Sequence, residues 1–290
     1  MLSVIPGLSA AALRNGSRSR VRLVDVSRRV PEGPPPPPVV QRLRIRYAKR
    51  GRLRFSSHRD FARAFERALR RAEIPMAYSA GFHPHPKISY VGAAPTGVGS
   101  EAEYLEIALD RQVDPEAVRS ALDEVLPDGL DLVQAVDAAE CVPGSLAEQI
   151  QASVWRLEFS APAAALDQAV TALLAETEVP VERLTKDGRK TLDARAPIVR
   201  ASVLPATESP GADSADDDPR AILEVVVRQV TPTVRPDDVF TALKSVSGFA
   251  PPQAPRATRL AQGPLDEAGD VGDPLRTTDL AQTEPPVGTR

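Results

Sequence analysis

Residues 42–72 read RLRIRYAKRGRLRFSSHRDFARAFERALRRA. At its start Leu43, Ile45 and Tyr47 alternate with Arg44, Arg46 and Ala48. That period of two predicts a strand with one cationic face. Ser57, with Asp60 three residues on, is a variant capping box that opens a helix. The helix is predicted to run to about Glu73, with Phe61, Phe65, Ala68 and Leu69 on its buried face and Arg59, Arg63, Arg67 and Arg70 opposite. The switch from period two to period 3.6 within one stretch makes the fold α+β from its first element.

Outward from this stretch the same alternation continues. Short extended segments are predicted at 76–79, 87–91, 102–109 and 130–136, and Asp114-Pro115 opens a second helix to about Val125, with Pro115 at its first position. The order β-α-β-β-α-β then repeats. A strand is predicted at 154–159, a helix at 162–175, extended segments at 179–184 and 191–203, a strand at 221–230, a helix from Arg235-Pro236 to about Val246, and a closing strand at 258–261. Lys186-Asp187-Gly188 reads as a hairpin turn. The expected architecture is α+β, two tandem ferredoxin-like (split β-α-β) units with antiparallel sheets, at 41–140 and 150–262. A Pro-rich leader at 1–40, an acidic insertion at 207–219 and a Gly/Pro/Asp/Thr-rich tail at 263–290 are expected to be loose.

The formal net charge of −3 hides a partition: residues 1–41 carry +4, 42–104 carry +8 and the remainder −15. Such a dipolar chain can turn one face to a polyanion. A general use of Arg in place of Lys explains the residue type but not the clustering. Cys141 is the single cysteine, which excludes an intrachain disulfide or a cysteine-rich cluster and leads to the expectation of a reducing cytoplasm. No run approaches the ~20 apolar residues of a membrane span. The opening apolar stretch lacks a preceding positive charge, so neither a secretory signal nor membrane attachment is expected.

The chemistry-bearing residues gather beside the cationic run. By default a charge row is a solvated helix face, yet few acids oppose these arginines, so Arg44, Arg46, Arg59, Arg63, Arg67 and Lys87 are candidates for phosphate contact. Tyr47, Phe55, Phe82 and Tyr90 are candidates for stacking on exposed bases, with core packing as the alternative for each. All three histidines, His58, His83 and His85, lie in the same region. In Gly81-Phe82-His83-Pro84-His85-Pro86-Lys87 the alternating prolines favour an extended backbone. Three readings stand open for these imidazoles: a rigid loop, a three-histidine metal site with no carboxylate or cysteine nearby in sequence, or acid–base and phosphate chemistry. Glu101 and Glu103 share one strand face and are expected to pair with arginines.

The strings QRLRIRYAKRGRLRFSSHRDFARAFERALRRAEIP, YSAGFHPHPKISY and GVGSEAEYLEIAL together resemble the radical-SAM-linked domain family of unknown function, over roughly residues 40–260 without the acidic insertion. The resemblance implies a stand-alone form of that domain and a separate radical-SAM enzyme as partner. The iron–sulfur cluster and S-adenosylmethionine are then expected on the partner; this chain, lacking the cysteine triad, is expected to bind neither cofactor nor metal. A looser likeness, at the level of fold, is to the RNA-processing proteins of bacterial repeat-RNA defence systems. The leading expectation is an RNA- or polyanion-binding accessory protein that presents substrate to the radical-SAM enzyme. The alternatives are an RNA-processing or RNA-modifying enzyme using His58, His83 or His85, and a protein-only interaction module.

Overall fold

Strand β1 (Gln41–Lys49) is the centre from which the first half is built. In the computed structural model, which describes residues 36–185, 188–204 and 220–277, β1 lies between β3 (Gly99–Leu109) and β4 (Leu130–Asp137) and is antiparallel to both. β2 (Ile88–Val91) pairs with the far side of β3, again antiparallel. Helices α1 (His58–Arg71) and α2 (Pro115–Val125) cover one face of these strands. Leu43, Ile45 and Tyr47 meet Phe61, Phe65 and Leu69 there in one apolar core. The capping box forms as read: Ser57 Oγ accepts from the Asp60 amide at 3.2 Å, and Asp60 accepts from the Ser57 amide at 3.3 Å. Asp114 caps α2 by accepting from the amides of Glu116 and Ala117.

The second half repeats the order. Strand β5 (Ala152–Ser160) lies between β9 (Arg220–Arg228) and β10 (Arg256–Gly263), and β8 (Ile198–Leu204) pairs with the outer side of β9, all antiparallel. Helices α4 (Ala163–Ala175) and α5 (Pro236–Ser247) pack on the face of Leu157, Phe159, Leu223 and Val225. A hairpin of β6 (Pro180–Thr185) and β7 (Gly188–Asp193) stands apart as a two-stranded sheet. A single-turn helix, α3 (Leu146–Gln149), lies in the connection between the halves.

The halves are not separate sheets. Gly99 and Ser100 of β3 pair in parallel with Thr258 and Arg259 of β10, which gives one eight-stranded sheet in which every other pairing is antiparallel. The described residues accordingly form one compact unit with a core on each half. The chain is thus a mixed α and β structure with a mostly antiparallel sheet and, among the described residues, five α-helices. None of these helices is long and apolar enough to cross a membrane.

Three expectations change. The segment 76–79 is not a strand but makes isolated bridges, Met76 to Leu109 and Tyr78 to Pro86, because Pro75, Pro84 and Pro86 remove ladder donors. The extended segment 191–203 is broken at Asp193, whose carboxylate accepts from the amides of Val179, Arg195 and Ala196 and turns the chain before β8. The segment 264–277 is not loose: it folds back so that Leu265 bridges Val271 and Thr277 bridges Cys141, and Leu275 is fully buried. Only glycine fits at 263, since a Cβ there would fall inside the van der Waals envelope of the Gly272 carbonyl oxygen. The leader to residue 35, Lys186 and Asp187 of the hairpin turn, the acidic insertion and residues 278–290 lie outside the described residues.

Candidate functional site

The second face of β1 differs from its expected role. Arg44 is 5% exposed; it donates to Glu106 at 3.3 Å and to the Gly144 carbonyl at 2.5 Å. Arg46 is half-buried opposite Tyr104, its cross-strand neighbour, and its Nε is buried without a hydrogen-bond partner. Tyr104, Leu146, Ile150 and Leu275 form a small apolar cluster on this face. The connection through α3 and the 264–277 segment therefore cover what the alternation reads as an open cationic surface. Arg44 is positioned as an internal tie, not as a phosphate ligand, whereas Arg46 stays half-buried without such a tie. Tyr47 is likewise withdrawn: its ring stacks on Phe61 at 4.2 Å with an interplanar angle of 3°, and burial pushes its phenol well above the usual range.

Helix α1 keeps the other half of the expectation. Its buried stripe is fixed by Phe61 and Phe65, so helical geometry turns Arg59, Arg63 and Arg67 outward, and all three are exposed. None of them makes a salt bridge among the described residues, whereas Arg70 reaches Glu66 at 4.0 Å. Asp60, at the head of the same face, accepts from Ser57 and is held below the usual carboxylate range by those bonds first and by Arg63 and Arg59 after them. A row of uncommitted guanidinium groups on one rigid helix is a surface for a repeating anion.

Two further pieces border the sheet of the first half. The loop after Met76 is held at its base by Ser79, whose amide donates to the His85 carbonyl at 2.9 Å and whose hydroxyl accepts from the His85 amide at 3.0 Å. Phe82 at its tip is 72% exposed, and His83, His85 and Lys87 are exposed beside it. The 310 turn Gly51–Phe55 presents an exposed Phe55, with the Arg54 guanidinium 4.6 Å from its ring centroid. Phe55, Tyr78 and Phe82 are the exposed aromatic side chains among the described residues, and all belong to the first half. Tyr90 is half-buried, packed edge-on against His58 at 4.8 Å and near Phe61.

The histidines do not converge on one centre. His58 sits on the first turn of α1, while His83 and His85 lie on the loop. No group of three or more His, Cys, Asp or Glu able to hold a metal occurs among the described residues, which removes the three-imidazole site.

Where the two halves meet, a buried polar network takes over. Arg259 of β10 and Glu103 of β3 are 3% and 2% exposed and form an ion pair. Arg259 also donates to the Gly92 carbonyl at 2.6 Å, to Gln262 Oε1 at 3.2 Å and to Ser100 Oγ at 3.3 Å, with its guanidinium 5.3 Å from the Trp155 ring centroid. Glu103 accepts from the Ala94 amide at 3.1 Å, and Gln262 donates to the Ala102 carbonyl at 2.6 Å. Lys49 is buried alongside, 3.4 Å from the carbonyls of Ala94 and Pro95, and desolvation lowers its pKa. Reading the sequence anticipates a structural pairing for Glu103 but misses Arg259 and Trp155; the one available signal is that Trp155 is the only tryptophan.

Residues 42–236 match the model of a family described as an uncharacterized protein conserved in bacteria, DUF2344. The chain belongs to that family. The DUF2344 match begins at the first arginine of β1 and takes in α1 and the 76–87 loop; Arg259 lies beyond its end. No curated protein matches the chain.

Proposed function

We propose that this chain is an RNA-binding accessory protein that presents its ligand to a separate radical-SAM enzyme. The observation that carries the RNA reading is the outward row Arg59, Arg63 and Arg67 on α1, uncommitted among the described residues. Lys87 and the exposed rings of Phe82 and Phe55 extend it with the combination of cations and stacking faces that suits single strands. The radical-SAM partner rests on the resemblance of the three quoted strings. The tandem ferredoxin-like reading is supported by the recurrence of one neighbour order, β4-β1-β3-β2 in the first half and β10-β5-β9-β8 in the second.

The test is the salt dependence of binding to a fluorescent single-stranded RNA. Each phosphate contact contributes ~0.7 to the log–log slope. Replacing Arg59, Arg63 and Arg67 by Gln together is expected to lower that slope by about 2 and to weaken binding equally across sequences. RNA binding no stronger than that of an acidic control protein, or a slope unmoved by the triple replacement, overturns the reading.

A further inference from the structure

A cavity of about 380 Å³ opens beside the buried network, between the loop after β2 and strands β5, β9 and β10. That volume is near the lower end of the ~300–1,000 Å³ typical of small-molecule sites, so it has room for one compact ligand rather than a strand. Three arginines line it, Arg228, Arg235 and Arg259, and its wall contains no carboxylate. Arg259 is neutralised by Glu103 behind the wall. Arg228 and Arg235 are exposed and make no salt bridge among the described residues. Two planar guanidinium forks with no counter-charge in a concave site match an anion that accepts several hydrogen bonds at once. Ser153, Thr233 and Gln229 add hydroxyl and amide groups, and Trp155 supplies an apolar wall.

We infer that this cavity binds a phosphomonoester about the size of a mononucleotide, with Arg228 and Arg235 on the phosphate. The site is distinct from the α1 face and does not depend on the RNA reading. The same chemistry is offered by a free mononucleotide and by the 5′-phosphate end of an RNA.

Trp155 is the only tryptophan and lines the cavity, so its intrinsic fluorescence reports on the site directly. The full chain is titrated with 5′-AMP, inorganic phosphate, adenosine and short oligoribonucleotides with or without a 5′-phosphate. A saturable fluorescence change is expected with 5′-AMP and none with adenosine. The Arg228→Ala and Arg235→Ala variants are expected to raise the 5′-AMP midpoint at least tenfold, while the triple Arg59, Arg63 and Arg67 replacement leaves the 5′-AMP midpoint unchanged. A response to the phosphorylated oligonucleotide alone assigns the ligand to an RNA end; an equal response to 5′-AMP assigns it to a free nucleotide. Either assignment supports the site. Thermal melting establishes that the arginine variants fold, and Thr233→Glu, which introduces a repelling carboxylate, gives an independent loss of binding. No saturable change with any phosphate-bearing probe, an equal response to adenosine, or an unchanged midpoint in the Arg228→Ala/Arg235→Ala double variant overturns the proposal.

Discussion

The guanidinium of Arg259 and the carboxylate of Glu103 meet across the single parallel junction of the sheet, both sealed from water. A buried pair of this kind is costly to break because the surviving charge has no solvent. Arg259→Leu or Glu103→Leu alone is expected to destabilise the fold by ~3–5 kcal/mol, measured by urea unfolding. The Arg259→Leu/Glu103→Leu double variant should recover much of that loss. Additive losses in the double variant would show that the two groups do not act as a pair.

Tyr47 and Phe82 separate core from surface among the aromatic residues of the first half. Tyr47→Ala opens a hole beside Phe61 and is expected to cost ~3–5 kcal/mol of stability. Phe82→Ala should leave stability within ~0.5 kcal/mol while weakening RNA binding by about tenfold, the loss of one stacked base. The comparison needs only a melting curve and an anisotropy titration for each variant, and a stability loss in Phe82→Ala would contradict its exposure.

The Ser57–Asp60 box fixes where α1 starts. Ser57→Ala is expected to cost ~1 kcal/mol by freeing the Asp60 amide. The Asp60 carboxyl is held below its ordinary range in the folded state, mainly by bonds from Ser57. Its contribution is therefore present above the unfolded-state pKa and is lost as pH falls through the folded one. The stability difference between the wild type and Asp60→Asn should shrink on acidification across that window; a difference independent of pH would contradict the assignment.

Gly263→Ala tests the return of the C-terminal segment. The added Cβ meets the Gly272 carbonyl, so the backbone of 264–277 must move away from the end of β10. Limited proteolysis is expected to cut this segment faster in the variant, with Cys141 becoming more reactive toward a thiol reagent as its bridge to Thr277 opens. Unchanged cleavage and reactivity would place the segment's anchorage elsewhere.

What was legible in the residues is what is local. The start of α1 follows from Ser57 and Asp60, and its two faces follow from the spacing of Phe61 and Phe65. Arg44 shows the limit: its place in the alternation is right, but what covers it is Gly144 and its neighbours, 100 residues away. Tyr47 could stack on a base or on Phe61, and only the docking of α1 onto β1 decides between them. The cationic cavity draws on the loop after β2 and on β5, β9 and β10, so no contiguous string contains it.

The parallel junction has a consequence for the order in which the protein is made. Glu103 leaves the ribosome 156 residues before Arg259. Throughout that interval the nascent first half carries a carboxylate that must stay hydrated, and its sheet edge at Gly99 and Ser100 stays open. The last strand of the sheet is therefore also its latch, and the two halves become one body only once β10 has been made.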